Sequence, residues 1–152
     1  MKNTFSHLFK QAIKAGEKAG SELQQACDEQ KIVKLKSQAA TILTMQIPEE
    51  YIDFLNQMDG YSDFGLMLYA SHPVYLEKSD SWIYGLVETN HHYFQFFPIM
   101  LVLGECGDEL LVYDDKLGLY KNIDRVGGNI NAEFESFWEM IDDVLKNLIF
   151  NE

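Results

Sequence analysis

Cysteine is scarce in this chain of 152 residues: there are two, Cys27 and Cys106. Two are too few for the disulfide framework that staples small secreted domains, and both are read as reduced thiols. Proline is also scarce, at three, and glycine stands at ten, which excludes collagen-like and low-complexity chains. Basic residues are few: 12 Lys and Arg face 24 Asp and Glu, for a formal charge of −12 and a pI near 4.6. Long apolar runs are missing, and nothing approaches the roughly 18 apolar residues of a membrane span. The N-terminus, Met1-Lys2-Asn3-Thr4-Phe5, opens a helical pattern rather than a signal peptide's apolar run. A cytoplasmic protein with no membrane partner is therefore expected.

The shortage of positive charge is uneven. Residues 1–40 hold seven Lys against four acids (Glu17, Glu22, Asp28, Glu29), a net +3, whereas residues 41–152 carry −15. A surface this acidic repels phosphate backbones, so nucleic acid is excluded as a partner. The same field attracts a basic protein.

What the chain does have is apolar bulk: 47% hydrophobic residues, with ten Phe and eight Tyr. At this length about 70% of the unfolded surface can be buried, enough for one domain without staples. Phe5, Leu8, Phe9, Ala12, Ile13, Ala19, Leu23, Ala26 and Cys27 recur at helical spacing, interrupted by Gly16 and Gly20. Gly on one side of such a helix suits close approach of another helix. Residues 31–43 continue helically after a break near Asp28–Lys31. This stripe predicts N-terminal helices that pack on the domain through Phe5, Phe9, Ile13 and Leu23 rather than a free arm. Pro48 opens a third helix, with Glu49 and Glu50 at its positive end, and Asp59-Gly60 closes it. Residues 65–70 read as a short buried strand.

Ser79, Asp80 or Ser81 can cap a fourth helix carrying Trp82, Ile83, Leu86, Val87 and Phe94. Strands are expected at Ile99–Leu103, Glu109–Tyr113 and Leu119–Ile123, with a turn over 104–108 and a hairpin loop over 114–118. Asn131 caps a last helix whose apolar face is Phe134, Phe137, Trp138, Ile141, Val144, Leu145 and Leu148. The order predicts an α+β domain: N-terminal helices, a central mainly antiparallel sheet covered by helices on one side, and a C-terminal amphipathic helix packed on that sheet.

Two blocks carry a resemblance. One is Ile47-Pro48-Glu49-Glu50-Tyr51-Ile52-Asp53-Phe54-Leu55 followed by Asp59-Gly60; the other runs from Gly104 through Gly107-Asp108 to Val112-Tyr113-Asp114. Leu68-Tyr69, Phe96-Phe97-Pro98 and the closing Phe134-x-x-Phe137-Trp138 follow in order. Over about residues 47–145 this resembles the SUKH superfamily, the Smi/Knr-type domains. The chain departs from the pattern at Tyr61-Ser62-Asp63-Phe64-Gly65 and at Cys106, and residues 1–45 match no motif of the family. The resemblance implies binding rather than catalysis: bacterial members act as immunity proteins that neutralise polymorphic toxins, often nucleases or deaminases. Other members are intracellular interaction or regulatory modules without a toxin partner, which is the alternative reading here.

Candidate chemistry is thin. Cys106 in a Gly-flanked turn, with His91 or His92 as base, would make a nucleophile, but a small residue in a tight turn is much the better account, because turn geometry alone explains Gly104 and Gly107. His72, His91 and His92 lack metal-ligand spacing, since adjacent His face different sides of a helix. Asp114-Asp115 suits a hairpin turn, and Asp142-Asp143 the wet side of a helix. The aromatics Tyr84, Tyr93, Phe94, Phe96 and Phe97, with His91, read as core, or as a protein-binding patch if exposed. No catalytic, metal or cofactor-binding residues are assigned, and no cofactor is expected. The expected partner is a cognate basic toxin, and the expected contact residues are the acids of the turns: Asp59, Asp63, Glu105, Asp108, Glu109, Asp114, Asp115 and Asp124. The oligomeric state has no signature in the sequence.

Overall fold

The computed structural model describes residues 4–94, 96 and 100–149. Phe97, Pro98 and Ile99 lie outside them, and Ile99 is the expected first residue of the strand Ile99–Leu103. Helix α1 spans His7–Lys18, with the Ser6 hydroxyl accepting from Phe9 N–H at 3.2 Å. It stops well short of Cys27. Gly20 takes a left-handed φ of 82°, and Ser21 N–H closes back on Gly16 C=O. Gly16 does permit a close approach, though of a strand rather than a helix: a Cβ there would lie 2.6 Å from the Asp63 carboxylate. α2 (Glu29–Gln38) is capped by Asp28 and runs into a π-helical turn, Ala39–Leu43, ended by Thr44 at φ 53°. α3 covers Glu49–Leu55 behind Pro48.

Strands β1 (Tyr61–Asp63) and β2 (Leu66–Leu68) form a hairpin whose two turn residues, Phe64 and Gly65, both have positive φ. β3 (Val74–Leu76) and β4 (Ser81–Ile83) form a separate two-stranded sheet. This corrects the expected fourth helix: Trp82 and Ile83 belong to a strand, and α4 is only Leu86–Tyr93 behind Gly85. β5 (Met100–Cys106), β6 (Glu109–Asp114), β7 (Leu119–Asp124) and β8 (Ile130–Phe134) follow, then α5 (Phe137–Leu148). β8 also corrects the sequence reading. Asn131 and Phe134 sit in that strand, and Ser136 caps α5, its hydroxyl accepting from Glu139 N–H.

The main sheet is antiparallel throughout, in the order β1-β2-β5-β6-β7-β8, and α5 packs on β7 and β8. The fold is α+β. Burial does not alternate along the central strands: Leu101–Gly104, Leu110–Val112 and Tyr120–Ile123 are continuous buried runs. The sheet is therefore covered on both faces rather than one. On one face, Tyr120 meets Phe137 of α5, and Phe5, Phe9, Phe54, Phe137 and Trp138 form a ring cluster with centroids 4.8–6.3 Å apart. Phe5 and Phe9 are buried in this core, and Ile13 and Leu23 pack against it half-buried. On the β5 side, α4 is pinned by Asn90, whose carboxamide bonds both the N–H and the C=O of Val102 at 2.7 Å.

The residues that carried the resemblance are spent on this frame. The buried Tyr51 hydroxyl donates to Tyr69 C=O (2.5 Å) and Leu103 C=O (3.1 Å), and burial raises its pKa well above the ordinary tyrosine value. Gly60, at φ 91°, lies where a Cβ would come within 2.7 Å of the Ala70 side chain. At Gly104 a Cβ would stand 2.3 Å from Met67 C=O, so glycine lets β2 close onto β5.

Candidate partner-binding surface

The eight acids expected at the contact surface divide by their partners. Asp59 is 8% exposed; its carboxylate accepts from Ser71 N–H (2.7 Å) and the Ser71 hydroxyl (2.8 Å). It is a strut of the fold, not a free turn acid. Asp114 is 5% exposed and pairs with Lys121 at 3.0 Å while accepting from Lys116 and Leu117 N–H. Burial alone would raise its carboxyl; the Lys121 hydrogen bond, those backbone donors and the Lys121 charge outweigh it and hold the pKa low. For these two the expected exposure is wrong, because each carboxylate meets a donor that strand pairing brings to it.

Asp63 is half-buried and accepts from the Ser21 hydroxyl at 2.5 Å. Glu109 and Asp124 stand directly opposite each other on β6 and β7, and the Asn131 amide between them donates to both at 3.0 Å. Only Asp108 and Asp115 are exposed turn acids, flanking the two ends of β6 and so about 23 Å apart along an extended strand. Asp115 borders a cavity of about 600 Å³ with Lys36, Thr44, Met45 and Glu49, whose charges are mixed.

Glu105 lies on β5 rather than in a turn. It accepts from the Tyr69 hydroxyl (2.7 Å) on one oxygen and from Arg125 (3.0 Å) on the other. Arg125 also donates to the Tyr93 hydroxyl (2.7 Å) and to Gly107 C=O (3.0 Å). This pair forms the floor of a groove of about 470 Å³, walled by Trp82 and Tyr84 on one side and by Glu88, His92 and Tyr93 of α4 on the other. A second hollow of about 380 Å³ continues past Tyr93 and Arg125 to Phe96 and Val126.

The groove's wall follows from strand alternation. Leu76 and Ile83 point into a small core with Ala70, so Tyr75 and Trp82, opposite each other in register, point out. Their rings pack at 5.2 Å, and Trp82 remains 51% exposed. In the second hollow, Phe96 is 62% and Val126 86% exposed. No protein-family model matches the chain, and no curated protein matches it.

Cys106 lies on β5 beside Glu109 of β6; burial, then the Glu109 charge, pushes its thiol pKa up, away from the thiolate a nucleophile needs. Cys27 is buried, and burial likewise raises its thiol. His72 approaches Ser71 and Asp59, while His91 and His92 lie on exposed turns of α4. Among the described residues no three His, Cys, Asp or Glu side chains are grouped to hold a metal ion, and no helix is long and apolar enough to cross a membrane.

The sequence reading named Tyr84, Tyr93 and Phe96 only as a conditional patch, and missed Trp82, Glu88 and Arg125 as neighbours. The signal was present in the alternation of Val74, Leu76, Ile83 with Tyr75, Trp82, Tyr84, and in Gly85 just before the helix.

Proposed function

We propose that the chain is a non-enzymatic immunity protein of the SUKH type, which binds a basic toxin in the cytoplasm and occludes its active site. The observation that carries this reading is the groove: large aromatic rings held half-exposed around a satisfied Glu105–Arg125 pair, on a domain of charge −12. Exposed aromatics with a nearby arginine are the composition of binding hot spots. The acidic field supplies steering toward a basic cleft, and rim acids such as Asp108 and Asp115 act mainly on association rate. The resemblance of residues 47–145 to SUKH domains is the ground for the family part of this reading.

The test is co-expression with the product of the gene immediately upstream, scoring co-purification and survival when that product is toxic. Trp82→Ala with Phe96→Ala should weaken binding at least tenfold, and Cys106→Ser should leave survival unchanged. Lost survival in a Cys106→Ser protein that still folds and binds would sink the non-enzymatic reading. A gene with no toxin neighbour and no protective effect would move the assignment to a regulatory interaction domain.

A further inference from the structure

Resting on the binding reading above, we infer that the groove between β4 and α4 receives an arginine side chain from the partner, so the partner's contact loop is basic at its tip. Trp82 and Tyr84 are two residues apart, on one side of an extended segment, and both line the same hollow while remaining exposed. Tyr75 braces the first ring, and Tyr69, 6.3 Å away between centroids, braces the second. Tyr69 is itself tied to Glu105. The cage is therefore held in place before a ligand arrives.

Charge selects the occupant. Three of the Arg125 N–H groups are taken by Glu105, Tyr93 and Gly107, and the Glu105 carboxylate offsets its charge. Glu88, exposed on the opposite wall, makes no ion pair among the described residues. An anion entering here meets the Glu88 carboxylate, and an apolar side chain would strip water from it without replacing it. A cation gains both the ring faces and the carboxylate. Guanidinium stacks on aromatic rings and bonds a carboxylate through two N–H groups, which an ammonium cannot do.

The probe is a hexa-arginine peptide, compared with hexa-lysine and hexa-glutamate and followed by NMR through the two indole N–H signals, those of Trp82 and Trp138. Hexa-arginine should shift the Trp82 signal saturably, leave Trp138 in place, and bind at least threefold tighter than hexa-lysine; hexa-glutamate should do nothing. Glu88→Gln should weaken hexa-arginine at least fivefold, whereas Asp115→Asn, the same charge change on another face, should weaken it less than twofold. An equal loss in both variants, or an unmoved Trp82 signal, would overturn the inference and leave only the general acidic field. Protection from the toxin without a Trp82 response removes this inference alone, and a Trp82 response without protection removes the toxin reading alone.

Discussion

Replacing Asn90 by alanine should detach α4 from the sheet. The Asn90 side chain is 3% exposed; its amide N–H groups donate to Leu86 C=O (2.8 Å) and Val102 C=O (2.7 Å), and its Oδ1 accepts from Val102 N–H (2.7 Å). β2 pairs with β5 only over Gly104–Cys106, so Val102 has no strand beside it on that edge. The carboxamide takes the place of one. Alanine leaves a buried backbone donor and acceptor unpaired, at about 1–3 kcal/mol each, so about 3 kcal/mol in total after some water entry. For a domain of this length about 2–4 °C accompanies each kcal/mol, which puts the fall in Tm at roughly 6–12 °C. Asn90→Asp keeps the acceptor but loses the donor, and at pH 7 buries an unpaired charge against Val102 C=O, so it should do at least as much damage. Thermal unfolding followed by circular dichroism reads both. A fall below about 2 °C for Asn90→Ala would refute the idea that this side chain completes the sheet.

Asp114→Asn should cost about 1–3 kcal/mol at pH 7, because it removes the charge from a buried, hydrogen-bonded pair with Lys121. The folded Asp114 pKa lies below its ordinary 3.8, so its contribution is present above that value and is lost as pH falls through the folded pKa. Urea unfolding should therefore separate the variant from the parent at pH 7 and bring the two together near pH 2; a constant gap would contradict the assignment. Tyr61→Phe should be neutral or stabilising by up to about 1 kcal/mol, since the buried Tyr61 hydroxyl has no partner among the described residues. A loss greater than that in the same urea series would mean that the hydroxyl is bonded in solution.

Much of the frame was legible because its signals are local and repeated. The apolar stripe of α5, the Pro48 start of α3, and the strand–loop–strand run around Asp114–Gly118 each use a single period or turn residue that neighbours do not contradict; the end of α3 was misplaced, since the helix stops at Leu55 and Asp59-Gly60 instead leads into β1. The β3–β4 hairpin was lost because each strand is three residues long. Trp82 and Ile83 then merged with Leu86 and Val87 into an apparent helical stripe. β8 was lost because none of its residues is buried and because Phe134, three residues before Phe137, merged with the stripe of α5. The surface was less legible than the fold. Nothing near Asp59 announces that Ser71, twelve residues on, will claim its carboxylate. Likewise Glu105 and Arg125 meet only because β5 and the segment after β7 end on the same side of the sheet.

The residues that build the frame and those that wall the groove barely overlap. Tyr51, Gly60, Gly104 and Asp114 are locked by contacts of under about 3 Å or by backbone that only glycine accepts. Trp82, Tyr84, Glu88, Phe96 and Val126 are exposed and sit on a hairpin, a helix rim and loops. Such a molecule can exchange its contact residues one at a time at little cost to folding, because surface substitutions away from special features usually shift stability by within about 0.5 kcal/mol. Glu105 is the exception: it belongs to a frame strand and to the groove floor at once. Lineages pressed to follow a changing partner should therefore diversify at Tyr75, Trp82, Tyr84, Glu88, Phe96 and Val126, while Leu76, Ile83 and Asn90 between them stay fixed and Glu105 and Arg125 change, if at all, together.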